Sequence, residues 1–318
     1  MYRYTDAHND ERAWDPEKAN YWFPVDFYFG ADHAVAHLLY FRFWGYFFAE
    51  RGLIAKDKAE PVKKLVYNGY INAEDGSKMS KSKGNVVDPL DIIDSGYGAD
   101  ALRMYELFVG PYDQDVVWNP NGVPGTYRYL QRVWTLAQEF LESEKSDQKP
   151  DPEKVVMLRA LSHKVIKKVT QDLEKERFNT AIAALMGLVN DYNKLKAELP
   201  MSEAYNEWRE VLGQLMQLIA PFAPHMAEEL FSEMGFDSSI HTSGWPSWDE
   251  ELVKEDLLTI IVQVNGKLRA DMQVMAGTEE AEIVELAQNN ENVIKFTSEG
   301  AIVKTIYVPN KLVNFVVK

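Results

Sequence analysis

The sequence predicts a multidomain chain: an α/β segment, then an all-helical segment, then a small α+β module. Three observations carry this reading. Over residues 24–71 a short strand pattern, a long apolar helix pattern and a second strand pattern succeed one another, the order of a βαβ unit on a parallel sheet. Over 122–235 apolar residues recur at helical spacing between short polar breaks, as in a helical bundle. From about residue 257 the period changes to strand alternation around Asn265-Gly266, a strong two-residue hairpin signal. The 318 residues are enough for two or three separate cores, and the changes of pattern divide them into 1–121, 122–250 and 251–318.

Composition narrows the function classes. With 46% hydrophobic and 26% charged residues the chain is an ordinary globular one. It has no cysteine, which excludes disulfides and thiolate zinc sites. A net charge of −15 argues against broad, non-specific nucleic-acid binding while leaving room for local basic patches. The polar opening residues carry no signal-peptide pattern. The apolar run 34–49 contains His37 and Arg42 and is short for a membrane span. The expectation is a cytoplasmic protein with no membrane partner.

Residues 1–21 show no period and read as an extended lead-in. Residues 24–30 read as a strand closed by Gly30. Asp32 stands at an N-cap position for a helix over about 33–51 that ends at Gly52. That helix is apolar nearly all round, which predicts burial. Residues 65–71 read as the second strand. Ligands bind such sheets beyond the carboxyl ends of the strands, so Gly30 to His33 share a rim with the loop after the second strand. His33 and His37 lie four apart on one helix face. A third metal ligand is missing, and a buried, hydrogen-bonded pair is the stronger reading of these two residues; no metal is expected.

The loop after the second strand is Asp75-Gly76-Ser77-Lys78-Met79-Ser80-Lys81-Ser82-Lys83-Gly84-Asn85, with three lysines in six residues and no apolar period. It reads as a mobile surface loop in which ammonium and hydroxyl groups alternate. That chemistry suits an oxyanion such as a triphosphate, and it equally describes a solvated lysine loop. Further on, 97–108 reads as an amphipathic helix under the rim, and helices are expected over about 126–143, 153–176, 179–198 and 202–234. Pro221 and Pro224 kink or divide the last. His225 reads as a helix-terminus residue. Arg128 and Arg132 lie one turn apart, facing either RNA phosphate or solvent. The final module reads as strands 259–264 and 267–274, a helix over 278–289, and strands 302–308 and 312–317.

The string Lys78-Met79-Ser80-Lys81-Ser82 resembles the KMSKS loop of class I aminoacyl-tRNA synthetases. The run 25–44, with His33 and His37, is similar to the leucyl-tRNA synthetase family. So are Gly98-Ala99-Asp100 with Arg103, the run 220–231, and the closing module with Val264-Asn265-Gly266-Lys267 and Tyr307-Val308-Pro309-Asn310. The resemblance implies the second half of a Rossmann-like catalytic fold, an anticodon-binding helical domain and a small tRNA-contacting C-terminal domain. It implies that Lys78 and Lys81 act catalytically on the phosphates of ATP, taken with Mg²⁺. Met79, Ser80, Ser82, Gly30 and Asp32 would also face the nucleotide, and His33, His37 and Tyr28 would border leucine. Arg128, Arg132, Lys267 and Arg269 would meet leucine-specific tRNA. Where this family usually has Gly-Gly-x-Glu-His, the present rim reads Phe29-Gly30-Ala31-Asp32-His33.

The family's other motif, His-x-Gly-His, appears nowhere; the histidines are residues 8, 33, 37, 163, 225 and 241. A leucine–tRNA ligase is therefore expected only with an N-terminal half as partner, and this chain is expected to be inactive alone. A split subunit, a truncated piece and a non-catalytic tRNA-binding paralogue all fit the sequence.

Overall fold

The computed structural model describes residues 1–30, 33–254, 257–275, 278–298 and 300–318. It divides into two compact units, one of residues 1–91 with 109–120, the other of 92–108 with 121–318.

In the first unit, strand β1 (Val25–Phe29) pairs in parallel with β2 (Val62–Val66), Val25 opposite Val62 and Phe29 opposite Val66. A short pair, β3 (Ile71–Asn72) with β4 (Val116–Val117), is also parallel. The second strand thus ends before residue 67 rather than running to 71. The backbone of 67–70 leaves the ladder to reach β4, and Gly69 N–H donates to the Tyr112 carbonyl at 2.8 Å.

The opening residues are structured, against expectation. Helix α1 (Pro16–Trp22) starts at Asp15, whose carboxylate accepts from the Glu17 and Lys18 amides, with proline at the first helical position. Asp6 gathers the turn before it, accepting from Asn9 Nδ2 at 2.6 Å, the Asp15 amide at 3.0 Å and Lys18 Nζ at 2.7 Å. Tyr2 and Trp14 are buried with Ala19, Phe23, Ala49 and Ile54. Two aromatic anchors twelve residues apart leave no period to read.

Helix α2 (His37–Glu50) begins one turn later than its apolar run, after a turn over 33–36. It is not buried all round. Gly45 and Ala49 are its buried residues, facing the Tyr2 cluster. Leu39, Tyr40 (68% exposed), Phe43 and Trp44 are uncovered, as are Phe27 and Phe29 (64%) of β1. A helix buries every side only when something lies on every side, and a two-stranded sheet supplies one.

In the second unit, α3 (Pro89–Ile92), which starts in the first, runs through a π-type turn over 93–97 into α4 (Gly98–Phe108). Helix α4 packs against α5 (Gly122–Leu141), α7 (Phe178–Leu195) and α9 (Pro224–Glu233), so its apolar face serves the helical core. Helices α6 (Pro152–Glu174) and α8 (Tyr205–Ile219) complete the bundle around Trp208, Tyr192, Phe140 and Phe222. The proline pair does divide the last predicted helix, with Pro224 opening α9. The amide of Met226 and Nδ1 of His225 bond to the Asp100 carboxylate at 2.8 and 2.7 Å, so His225 is a helix-terminus residue.

The segment 243–249 straps α6 and leads into α10 (Glu250–Lys254). Trp245 Nε1 donates to Thr170 Oγ1 and the Asp249 amide to His163 Nδ1, each at 2.8 Å. The closing sheet has the order β6-β5-β8-β7, from β5 (Leu257–Val264), β6 (Lys267–Met275), β7 (Ile302–Val308) and β8 (Leu312–Val317). Its hairpin turns at Asn265 (φ +52°) and Gly266 (φ +75°), the type I′ signature that Asn-Gly predicts. Helix α11 (Glu280–Gln288) and α12 (Glu291–Thr297), the latter not foreseen, cover the face that buries Ile260, Val262, Val313 and Phe315. Among the described residues no helix is long and apolar enough to cross a membrane.

The strap should respond to pH through His163. His163 Nδ1 accepts a hydrogen bond, so the bond needs a neutral nitrogen there. Burial holds its pKa below the ordinary histidine value, opposed by Glu210 and Asp249 and aided by Arg159. A depressed folded pKa gives stability that is intact above about pH 6.5 and is lost as pH falls through the folded value. The melting temperature, monitored by circular dichroism, should drop between pH 7 and pH 5. His163→Gln, which keeps an acceptor and cannot charge, should drop less. Equal losses in both proteins would remove His163 as a cause.

Candidate active site: the lysine loop and the Gly30 rim

Parallel pairing puts the carboxyl ends of β1 and β2 on one rim, where the Gly30 amide donates to the Val66 carbonyl at 3.2 Å. Gly30 has φ +131°, and a Cβ there would overlap the His33 ring. Only glycine meets both conditions, the left-handed backbone and the close approach of an imidazole. The His33 and His37 rings face each other with centroids 4.5 Å apart. Both are exposed, not the buried pair the spacing suggested. Tyr28 is half-buried, its ring 6.0 Å from that of Phe41. Asp32 lies outside the described residues. Among the described residues no three His, Cys, Asp or Glu side chains cluster as metal ligands would.

From β2 the chain passes Tyr70, whose amide is held by Asp115 Oδ1 at 2.8 Å. A tight turn comes next. The Gly76 amide bonds back to the Ala73 carbonyl at 2.8 Å and the Ala73 amide to the Ser77 carbonyl at 2.9 Å. Bonds from the Ser77 backbone and side chain hold the Asp75 carboxyl below its usual range. The lysines lie just beyond. Lys78 places its ammonium 4.1 Å from the Tyr70 ring centroid, a cation–π contact. Lys81–Lys83 form one 3₁₀ turn. Lys81 is exposed and has no ion pair among the described residues. Met79 and Ser80 are half-buried, and Ser82 is exposed with its hydroxyl 3.3 Å from that of Ser80.

The loop is also bonded within itself, which its sequence does not suggest. Asn85 Oδ1 accepts from the Ser80 amide at 2.8 Å, and its Nδ2 donates to Ser77 Oγ at 2.9 Å and the Lys78 carbonyl at 3.4 Å. Tyr70 and Asn85 are the site residues that sequence reading passed over; the one signal in the sequence was an Asn after a Gly closing a charged loop.

The basic residues expected to meet RNA lie in the second unit. Arg128 and Arg132 are both exposed on α5, and Arg132 Nη2 donates to Asn190 Oδ1 at 2.6 Å. Lys267 is exposed at the β5–β6 hairpin. Arg269 is less accessible, its guanidinium lying 3.7 Å from the Phe296 ring centroid.

A parallel-strand rim with a lysine loop, in a chain that also carries a helical bundle, defines a catalytic fragment of a class I tRNA synthetase joined to an anticodon-binding domain. Family models agree: residues 14–119 match tRNA synthetases class I (I, L, M and V), and 157–285 match the anticodon-binding domain of tRNA ligase. Leucine–tRNA ligases are similar over almost the whole chain. That of Dehalococcoides mccartyi strain BAV1 is 46% identical over 99% of this chain, and that of Rubrobacter xylanophilus 43% over all of it. A solved LeuRS of Agrobacterium radiobacter K84, in a ternary complex with tRNA and LeuAMS, superposes over 100% of this chain and 41% of its own with a TM-score of 0.69 and 32% identity. Methionyl-tRNA synthetase of Mycobacterium tuberculosis shares the fold alone, at a TM-score of 0.52 and 17% identity over 72% of this chain and 52% of its own. The chain belongs to the leucine–tRNA ligase family and corresponds to a C-terminal part of it, spanning 38% of the length of the Dehalococcoides relative.

The rim has a direct test. Gly30→Ala forces a side chain onto a left-handed backbone and into His33, and should cost about 1–3 kcal/mol in urea unfolding. The imidazole resonances of His33 should shift in the same variant. Unchanged stability would show that the φ of Gly30 is not required.

Proposed function

We propose that this chain is the phosphate-handling part of a leucine–tRNA ligase and works with the N-terminal part that its relatives carry. The observation that supports this most is the lysine loop: intact, internally bonded, with Lys81 exposed and without an ion pair among the described residues. In the proposed reaction the leucine carboxylate attacks the α-phosphate of Mg²⁺-bound ATP, forming leucyl-adenylate and releasing pyrophosphate. A terminal ribose hydroxyl at the 3′ end of leucine tRNA then attacks the leucyl carbonyl, forming the ester, breaking the mixed anhydride and releasing AMP. Lys78 and Lys81 stabilise the negative charge that develops on the phosphates, an electrostatic role with no proton to move. Lys78 exchanges its Tyr70 ring for phosphate oxygen. Gly30, Met79, Ser80 and Ser82 face the nucleotide in this reading, together with Asp32.

His33, His37 and Tyr28 border leucine. Arg128 and Arg132 on α5, with Lys267 and Arg269 of the closing module, meet tRNA phosphate. Functionally the chain falls into 1–121 for catalysis, 122–250 for the anticodon-binding type domain and 251–318 for outer tRNA contacts. The uncovered aromatics of α2 and β1 are exposed apolar surface of the kind that a working enzyme buries, and the N-terminal part is the occupant proposed for them.

The test is leucine-dependent ATP–pyrophosphate exchange. This chain alone should give none, because stabilising groups act only when they converge on the phosphate from fixed positions. Exchange should appear when the N-terminal part is supplied, and Lys81→Ala should then lower it about a hundredfold, the scale of losing one oxyanion donor. Robust exchange by the chain alone, or no effect of Lys81→Ala, would refute this reading. Tight tRNA binding with no exchange in any combination would favour a non-catalytic tRNA-binding protein.

A further inference from the structure

The strongest unassigned feature is the side chain of Asn85. The chain turns back at Gly84, and the Asn85 amide then reaches across the loop it has just closed. Its Oδ1 takes the Ser80 amide at 2.8 Å; its Nδ2 gives hydrogen bonds to Ser77 Oγ at 2.9 Å and the Lys78 carbonyl at 3.4 Å. A primary amide is the side chain that offers an acceptor and two donors on one short, planar group. The three anchor points flank Lys78 on both sides and stop one residue before Lys81. Ser77 is itself fixed to the 73–77 turn through its carbonyl at 2.9 Å and to Asp75 through its amide at 2.9 Å. Backbone bonds within 78–84 run from the Lys83 amide to the Ser80 carbonyl at 3.1 Å and from the Gly84 amide to the Lys81 carbonyl at 3.2 Å, both downstream of Lys78.

We propose that Asn85 is a positioning residue that fixes the backbone carrying Lys78 and Lys81, so that the two ammonium groups meet a triphosphate at a set spacing. Asn85 touches no phosphate itself. The proposal rests on the reading of this loop as the phosphate-binding element. Its physical content is preorganisation: charges held in place before the reaction need no reorganisation when charge develops, and a loop about 1 Å out of place loses rate rather than fold.

Two measurements test it. On this chain, limited trypsin digestion reads the loop at Lys78, Lys81 and Lys83, with Lys145 in the break after α5 as internal reference. Asn85→Ala should raise loop cleavage about tenfold with the reference site unchanged. Ser77→Ala should raise it less, and the double variant should be no faster than Asn85→Ala alone. Asn85→Asp, which still accepts from the Ser80 amide but cannot donate to Ser77 Oγ or the Lys78 carbonyl, should return cleavage only part of the way towards the starting rate. With the N-terminal part supplied, Asn85→Ala should lower kcat of ATP–pyrophosphate exchange at least about tenfold while KM for leucine holds, a split that a general loss of folding would not give. Wild-type cleavage in Asn85→Ala overturns the proposal. So does unchanged exchange in Asn85→Ala where Lys81→Ala is impaired. If Lys81→Ala is also unimpaired, the phosphate role of the loop fails instead, and the cleavage result alone judges the clamp.

Discussion

The parallel pairing of β1 with β2 is the constraint on which the first unit depends. Two parallel strands must be joined by a crossover, and α2 with its flanking turns supplies it. The same geometry brings both carboxyl ends to one side, so Gly30 with His33 and the segment leading to the lysine loop share a rim. It also leaves the strands short of neighbours. The aromatics of α2 and β1 that meet solvent result from a two-stranded sheet that cannot cover a helix with apolar side chains on several faces.

Ion pairs occur in both units: Lys18 with Asp6 and Lys63 with Asp26 in the first, each at 2.7 Å, and Lys167 with Glu250 and Lys194 with Asp271 in the second, at 2.8 and 2.7 Å. Exposed pairs of this kind contribute little stability but neutralise local charge. In the loop, Lys78 rests on an aromatic ring and Lys81 has no ion pair among the described residues. A chain with fifteen more acidic than basic residues leaves Lys81 exposed and without an ion pair among the described residues, which keeps its charge available in the loop.

Much of the site was legible. The lysine loop, Gly30 as the end of a strand, the bundle, its division at Pro224 and the Asn-Gly hairpin all depend on local chemistry: a turn needs glycine, a helix stops at proline, alternation tracks the pleat. The features that stayed hidden depend on distance. Asn85 acts across the loop, Tyr70 receives Lys78 from eight residues away, and the order of the first fifteen residues comes from Tyr2 and Trp14 meeting a helix that begins at His37. The burial of α2 failed for the same reason, since an apolar sequence states what a helix prefers and not what lies beside it.

The sequence by itself determined the class of each segment, the turn types and the place of the lysine loop after the second strand, because these are set by neighbours within a few residues. Only the tertiary structure decided that α4 joins the helical core, that His33 lies against Gly30, and that Asn85 ties the two sides of the loop together. Those outcomes depend on which surfaces remain after the longer elements have packed, and packing is settled by contacts between residues that have no fixed spacing along the chain.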